Sequence, residues 1–250
     1  MTEPVTAAVL VIGNEILSGR TQDANIAYVA AGLEKLGIRL REARVVPDIE
    51  GEIVQAVNAL RQRYHYVFTS GGIGPTHDDI TAASIAVAFG VKLIRHPDAV
   101  SALSAHYDPG KLTPARLRMA DVPEGAILID NPVSRAPGFQ IGNVFVMAGV
   151  PAILRAMFDG LASRLSGGER MLQHTISCGL AEGAIAAELE AIQHRFEAVE
   201  IGSYPYFRDG RFGTSLVLRS TEPTLLADAA DAVRQMVVSF GGTPDEQPSG

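Results

Sequence analysis

The sequence predicts an α/β protein, with a mostly parallel sheet covered by helices on both faces and a small α+β domain after it. Three observations indicate this fold. Short apolar runs alternate with amphipathic helical segments through the first half of the chain. The resulting order β-α-β-α-β-α requires right-handed crossovers between parallel strands. The linker-like segment Ser166-Gly167-Gly168 then precedes a β-α-β-β-α order, which is typical of a two-layer unit.

The first elements follow from the spacing of apolar residues. Residues 9–12 form a continuous apolar run before Gly13, as in a strand that is buried on both faces. Asp23 can then cap a helix that Gly37 ends. The remaining elements of this stretch are predicted as strands over 38–46 and 66–69 and helices over 50–63 and 80–89. Asp78 or Asp79 can cap the last helix, and Gly90 can end it.

The rest of the first domain is less regular. Residues 98–120 predict two short helices, and residues 126–129 predict a strand. Residues 139–141 and 144–147 flank Gly142-Asn143, which predicts an antiparallel hairpin at the sheet edge. Pro151 suits the first turn of a helix that runs to about residue 165. We therefore assign residues 1–166 to the first domain.

The second domain is predicted over residues 169–240. Strands are expected over 172–178, 198–207 and 212–219, and helices over 183–194 and 223–240. The tail 241–250 contains two Pro and two acidic residues, a composition that predicts disorder.

Composition limits the possible partners. The formal net charge of −7, without a long Lys/Arg run, argues against a nucleic-acid partner. Cys178 is the only cysteine, so an intramolecular disulfide is impossible and a cytoplasmic location is the simplest expectation. The start of the chain has the pattern of neither a signal peptide nor a membrane span, so we expect no membrane partner.

The strongest functional pattern lies where the third strand meets the next helix, in Ser70-Gly71-Gly72-Ile73-Gly74-Pro75-Thr76-His77-Asp78-Asp79-Ile80-Thr81. Glycines let backbone N–H groups converge, and a helix N-terminus carries partial positive charge, so this segment favours an anion such as phosphate. It has neither the Lys-Ser/Thr ending of a P-loop nor Gly-x-Gly-x-x-Gly spacing. The predicted ligand contacts in this loop are Ser70, Gly71, Gly72, Gly74, Pro75, Thr76 and Thr81.

Carboxylates around this loop predict a divalent cation. Asp78 and Asp79 would repel a phosphate unless Mg²⁺, Mn²⁺ or Co²⁺ lay between them. Alternatively, one of the two caps the helix and the other is solvated. Glu15 follows the first strand and Asp48 follows the second, and parallel strands end at one edge, so these acids can converge on the same ligand. The candidate metal ligands are Asp48, Asp78 and Asp79.

Three further segments are weaker candidates. His77 can act as an acid or a base, or as a charge partner for the neighbouring Asp residues. Near Ser134, Arg135 can meet a phosphate and Pro137-Gly138 can shape a ligand wall, although an ordinary turn before a strand explains the same residues. Gly149 lies in Gly149-Val150-Pro151, where a loop again leads into a helix and can supply another donor.

Five separated motifs lie along the first domain. They are Gly13-Asn14-Glu15-Ile16-Leu17-Ser18-Gly19, Pro47-Asp48, residues 72–81, Ala136-Pro137-Gly138-Phe139 and Gly149-Val150-Pro151. In this order they resemble the molybdopterin-binding-like domain of the competence/damage-inducible protein A (CinA) family. The resemblance covers residues 5–165 and implies a three-layer α/β/α domain of the molybdopterin-binding-like type. The unit after Gly168 resembles the smaller domain that follows in that family.

The resemblance also implies limits on function. Many family members continue into a deamidase domain that acts on nicotinamide mononucleotide, and we do not carry that activity over. Asn14 stands where much of the family has Asp, and an amide oxygen is a poorer metal ligand than a carboxylate. We therefore count Gly13 and Asn14 among the ligand-binding residues and not among the metal ligands.

Three functions are compatible with the resemblance. Acids that match Asp48 and Asp79 serve metal and nucleotide chemistry in the related molybdopterin adenylyltransferases, and similar stand-alone domains are linked to metal-dependent hydrolysis of ADP-ribose-like dinucleotides. The leading hypothesis is therefore a pyrophosphatase, with Asp48, Asp79 and either Glu15 or His77 as catalytic residues. The alternatives are molybdopterin binding or adenylyl transfer, and a non-catalytic module that binds nucleotides. The ligand is expected to be a small phosphorylated nucleotide or a pterin, and the family implies a homo-oligomer.

Overall fold

The computed structural model describes residues 4–208 and 210–247. The chain divides into two compact units, Met1–Gly168 and Glu169–Gly250. This division falls at the Ser166-Gly167-Gly168 segment that the sequence indicates as a linker. Among the described residues, each buried cluster of apolar side chains is drawn from one unit alone.

The first unit contains a six-stranded sheet and a separate pair of short strands. The strands are β1 (Thr6–Ile12), β2 (Arg39–Val46), β3 (Tyr66–Ser70), β4 (Leu93–Arg95), β5 (Asp121–Pro123), β6 (Ile127–Ile129), β7 (Gly138–Ile141) and β8 (Val144–Met147). The sheet order is β2-β1-β3-β8-β7-β6, and β4 pairs with β5 outside it. The first four strands of this order are parallel, whereas β8-β7 and β7-β6 are antiparallel.

Helices follow most of these strands. They are α1 (Asn14–Leu17), α2 (Asn25–Lys35), α3 (Glu50–Arg63), α4 (Thr81–Phe89), α5 (Pro97–His106), α6 (Pro114–Leu117) and α7 (Pro151–Leu161), with short 3₁₀ segments after α6 and α7. The N-cap position of α2 is Ala24, and Asp23, one residue before it, accepts a hydrogen bond at Oδ1 from the Ile26 N–H at 2.9 Å. The expected cap of α4 is wrong, because its N-cap is Ile80 and no side chain bonds there.

The core lies on both faces of the sheet. In β1, the even-numbered residues from Ala8 to Ile12 belong to one buried cluster, which includes side chains of α3 and α4. The odd-numbered residues from Ala7 to Val11 belong to another, which includes side chains of α2 and α7. Because both faces are covered, the unit has the three layers that the resemblance implies.

The predicted hairpin forms, but its position differs from the expectation. β7 and β8 are antiparallel neighbours. However, β8 also pairs with β3 and β7 with β6, so both strands of the hairpin are internal. The edge strand is β6, a three-residue segment whose Ile127 is exposed.

The second unit is a sheet with two helices. Its elements are β9 (Leu172–Cys178), α8 (Glu182–Arg195), β10 (Glu200–Arg208), β11 (Arg211–Ser220), α9 (Pro223–Ser239) and β12 (Asp245–Gln247), and the sheet order is β10-β11-β9-β12. The tail expected to be disordered therefore contains a strand, since Asp245 pairs with Ser177 and Glu246 with Ile176. Residues 248–250 of that tail lie outside the described residues. No helix in the described part of the chain is long and apolar enough to cross a membrane.

Candidate functional site

The candidate site lies at the edge of the first sheet where four parallel strands end. The strands β2, β1, β3 and β8 are neighbours in this order, so the loops that follow them meet at one edge. Direct contacts confirm that three of these loops touch. The loop after β3 contacts both the end of β1 and the turn after β8, through Gly71.

Asp48 joins the ends of the first two strands. Its Oδ2 accepts a hydrogen bond from the backbone N–H of Asn14 at 2.9 Å, and the Gly13 N–H donates to Val46 O at 3.1 Å. Glu15 folds back over Gly13, since a β-carbon at position 13 would lie 2.7 Å from both Glu15 carboxylate oxygens. The carboxylates of Asp48 and Glu15 therefore both flank the end of β1.

Two glycines with positive φ shape the loop after β3. At Gly71 (φ +109°) a β-carbon would lie 2.2 Å from the carbonyl oxygen of Ile12. At Gly72 (φ +69°) it would lie 2.1 Å from Thr81 Oγ1. Both positions thus require a residue without a β-carbon, for backbone conformation and for space.

Thr81 holds this loop by two hydrogen bonds to its backbone carbonyls. It is fully buried, its hydroxyl donates to Gly71 O at 3.0 Å, and its N–H donates to Gly72 O at 3.0 Å. Because both donors are committed to loop carbonyls, the predicted role of Thr81 in ligand binding is corrected to a structural one.

Asp79 closes the far end of the loop. Its Oδ2 accepts hydrogen bonds from the Thr76 N–H at 2.8 Å and from the Thr76 hydroxyl. A β-carbon at Gly74 would lie 2.6 Å from the same oxygen. Arg118, which no sequence motif indicates, donates from Nη2 to Pro75 O at 2.6 Å. The loop is therefore held at both ends by side chains.

His77 and Asp78 are exposed on the same loop. The pKa of the Asp78 carboxyl is lowered from its ordinary value by the Thr76 side chain first, then by its own backbone N–H and by the charge of His77. Asp78 is therefore ionised at neutral pH. An ionised carboxylate here repels an anionic ligand unless a cation shields it.

Asn25 is a site residue that sequence reasoning missed. It is buried at the start of α2, and its Nδ2 donates to Ser70 Oγ at 2.9 Å and to Gly149 O at 2.8 Å. It thereby links the ends of β3 and β8. The available signal was a polar residue four positions before Val29 on the apolar face of a helix, because buried Asn is uncommon there.

The hydrogen bonds of Ser134 and the ion pair of Arg135 are local to their own turn. Asn131 builds a turn around Ser134, with Nδ2 donating to Ser134 Oγ at 2.7 Å and Oδ1 accepting from the Ser134 N–H at 3.2 Å. Arg135 Nη1 lies 3.9 Å from Asp130 Oδ1. The ordinary-turn interpretation accounts for these contacts, and ligand binding by Ser134 stays a prediction.

The next two residues differ from each other. Gly138 is buried in the sheet, where a β-carbon would lie 2.2 Å from Val146 O, so its role is packing and not ligand binding. Pro137 lines a small cavity of about 30 Å³ beside the loop, together with Gly72 and Asp79. Pro137 is thus the one predicted residue of this segment that borders the loop.

In the described part of the chain, no group of three or more His, Cys, Asp or Glu side chains is arranged to hold a metal ion. The three acids predicted as metal ligands, Asp48, Asp78 and Asp79, therefore do not form a preassembled cluster. Any cation at this edge would need ligands from elsewhere, such as the oxygens of a bound phosphate.

Comparison with known proteins gives the family. Residues 8–167 match the family described as "probable molybdopterin binding domain". The chain belongs to this molybdopterin-binding family. Its second unit is similar to another described domain, because residues 170–240 match "FAD synthase, middle domain".

Several relatives of this family member are informative. A protein of Aeropyrum pernix is 31% identical, and the match covers 100% of both chains. A probable FAD synthase of Caenorhabditis briggsae is 31% identical over 93% of this chain, which spans 50% of that protein. A CinA-like protein of Desulfosudis oleivorans is 38% identical over 66% of this chain and 42% of its own length.

A solved structure supports the same relationship. The crystal structure of a CinA of unknown function from Thermoplasma acidophilum has a TM-score of 0.61 and 35% identity, and covers 64% of this chain and 98% of that one. The CinA-like resemblance read from the five motifs is therefore confirmed.

Proposed function

We propose that this CinA-like protein binds a phosphorylated nucleotide at the loop after β3 and hydrolyses the pyrophosphate of ADP-ribose or a similar dinucleotide. One observation carries the proposal. Within the described residues, the backbone N–H groups of Gly72, Ile73 and Gly74 donate to no protein acceptor. Three consecutive unused donors in a glycine-shaped turn are suited to the oxygens of a phosphate.

Two carboxylates lie in the loops at this edge of the sheet, Asp79 next to Gly74 and Asp48 at the end of β1. Asp48 and Asp79 each use Oδ2 in the contacts that hold their loops, and the Oδ1 of each has no hydrogen-bond partner in residues 4–208 and 210–247. An oxygen that is free on each of two fixed carboxylates is available to a cation or to a water molecule. Each acid thus has one oxygen that holds its loop and one that is available to a ligand, which favours a functional role for both.

The donor set fits a divalent cation that is shared with the ligand. Mg²⁺ at nucleotide sites is usually held by one or two carboxylates together with phosphate oxygens and water, so Asp48 and Asp79 suffice without a third side chain. When bound, such an ion supplies neutralisation of phosphate charge and acidifies a water molecule. We include Mg²⁺, Mn²⁺ and Co²⁺ in this proposal.

Glu15 is our proposed general base. The residue is half-buried and its carboxylate lies over Gly13 at the end of β1, where it can take a proton from an attacking water at Oε1 or Oε2. His77 is the alternative base, but its side chain is exposed. The less exposed side chain, which lies against the end of a strand, is the better candidate of the two.

The test is AMP release from ADP-ribose, and from FAD for comparison, by the full chain with each of the three metals. We expect metal-dependent AMP from the native protein and a loss of about 100-fold or more in Asp79→Asn, because removal of one electrostatic contact to the transition state has effects of this order. Asp228→Asn, an equal change on an exposed position of α9, is the control and should leave the rate unchanged.

The same assay can overturn the proposal. If the folded protein releases no AMP with any of the metals, the pyrophosphatase hypothesis is wrong. The family match favours molybdopterin binding or adenylyl transfer as the second candidate, and binding of molybdopterin without AMP release would support it. Nucleotide binding without either activity would support a non-catalytic module.

A further inference from the structure

The contacts of Asn25 fix the direction in which its amide faces. Gly149 O is a carbonyl oxygen, 2.8 Å from the Asn25 amide, and it can only accept, so the facing atom must be Nδ2. The second Nδ2 proton then points to Ser70 Oγ, 2.9 Å away. The orientation of Asn25 therefore follows from hydrogen-bond chemistry.

This orientation leaves Asn25 Oδ1 without a partner. Asn25 is only 4% exposed, and its Oδ1 is buried and accepts no hydrogen bond in the described part of the chain. A buried acceptor without a donor destabilises the folded state, so such groups in native proteins call for an explanation. The two groups that accept from Nδ2, Ser70 Oγ and Gly149 O, suggest why this orientation is kept.

The same orientation determines what Ser70 can do. Its Oγ accepts from Asn25, so its own proton is not used in that contact, and it donates to no other acceptor in residues 4–208 and 210–247. Ser70 is the last residue of β3 and immediately precedes Gly71. A hydroxyl proton without an acceptor thus adjoins the loop whose backbone N–H groups are also unused, and this donor set suits an oxygen anion.

We propose that Asn25 is a positioning residue that holds the Ser70 hydroxyl as a hydrogen-bond donor to a phosphate oxygen of the ligand. This inference rests on the proposed function, since it requires a phosphate in the loop. Asn25 itself touches no ligand. Its second contact, with Gly149 O, lies beside the same loop, because a β-carbon at Gly149 would lie 3.2 Å from Gly71 Cα.

The experiment is a double-mutant cycle read by calorimetric binding of ADP and of inorganic pyrophosphate to the full chain with Mg²⁺. Ser70→Ala removes the donor, and we expect Kd to rise about 10-fold to 100-fold, as for loss of a hydrogen bond to a charged group. Asn25→Leu keeps a similar volume but releases Ser70, and Kd should rise comparably. The double variant should bind no more weakly than the weaker single variant, because both changes remove one interaction.

Asn143 offers a matched control. Its Nδ2 also donates to two backbone carbonyls, those of Arg61 and Tyr64, at 3.0 and 2.9 Å. It precedes β8, so it lies at the opposite end of the parallel strands from the loop. Asn143→Leu should lower the Tm as Asn25→Leu does, yet leave Kd unchanged.

Each outcome decides a different point. If the native protein binds ADP and both single variants bind it equally well, the positioning role is wrong and the proposed function stands. If the two effects add in the double variant, Asn25 does not act through Ser70. If the native protein binds neither probe, both proposals are wrong. Should Asn25→Leu not fold, Asn25→Ala replaces it, since it also releases Ser70 without adding a charge and should also raise Kd.

Discussion

At the residue scale, the loop depends on a distinction between two kinds of glycine. Gly72 and Gly90 have nearly the same backbone conformation, with φ +69° and +67°. At Gly90, which ends α4, a β-carbon would meet nothing within 4 Å. At Gly72 it would collide with Thr81 Oγ1. Gly90 is therefore required by backbone conformation alone, whereas Gly72 is required by backbone conformation and by lack of space for a β-carbon.

This pair gives a direct comparison. Gly90→Ala should lower the free energy of unfolding by about 1 kcal/mol, the strain of a left-handed non-glycine residue. Gly72→Ala should lower it by about 1–3 kcal/mol more, because the added methyl group overpacks against Thr81. Urea unfolding of both variants measures the difference. Equal losses would show that Thr81 yields to the methyl group at no energetic expense.

At the element scale, regular spacing could be read from the sequence and long-range pairing could not. Apolar periodicity predicts α3 at its observed bounds, Glu50–Arg63. The pair β4 and β5 has three residues in each strand, too few to show a period. β12 is polar throughout, and its position depends on Glu246 contacting Arg234 and His174, which are distant in sequence.

In the candidate site, too, local features could be predicted from the sequence and long-range contacts could not. The glycines and Asp79 belong to one continuous segment, so their proximity could be predicted from the sequence. Asn25 and Arg118 reach that segment from 45 and 43 positions away. No local pattern marks such contacts, because they exist only once the strands have paired. The unused donors of Gly72 to Gly74 likewise depend on the folded turn.

The attachment of β12 should depend on pH. Its Glu246 has a pKa lowered from the ordinary 4.5, first by the hydrogen bond from Arg234. The carboxylate therefore stabilises the attached strand above about pH 4.5, and this contribution is lost as the pH falls through the lower folded-state pKa. The protection of the Glu246 amide, measured as its exchange rate relative to the intrinsic rate at the same pH, should thus fall in acid.

Glu246→Gln tests this dependence. The variant should show faster exchange across Asp245–Gln247 at neutral pH, and its difference from the native protein should vanish in acid. Glu188→Gln, on an exposed position of α8, serves as the control. A difference that persists in acid would mean that the charge of Glu246 is not what holds the strand.

At the scale of the whole molecule, the buried clusters separate into two sets. Three are built from residues of the first unit and one from residues of the second, within the part of the chain that the structure describes. Every residue assigned to the candidate site belongs to the first unit. The expected homo-oligomer stays a prediction.

Residues 1–168 should therefore fold alone, because their core needs no side chain from the second unit. We expect the isolated unit to keep its far-ultraviolet circular dichroism and to release AMP from ADP-ribose at a rate within about threefold of the full chain, given that its core and site are complete. A folded unit without activity, beside an active full chain, would show that the second unit contributes to the reaction.

The main-chain origin of the unused donors in the loop has an evolutionary consequence. Ordinary side-chain mutations at Ile73 leave its N–H in place, and only proline would remove it. Selection can therefore vary the surroundings of the loop while the proposed anion site persists, provided that its glycines are kept. Leu17, Ile49 and Val150 are exposed apolar residues that follow Glu15, Asp48 and Gly149. Lineages that exchange them could acquire new ligands on an unchanged fold, as expected when function resides in a site and not in its scaffold.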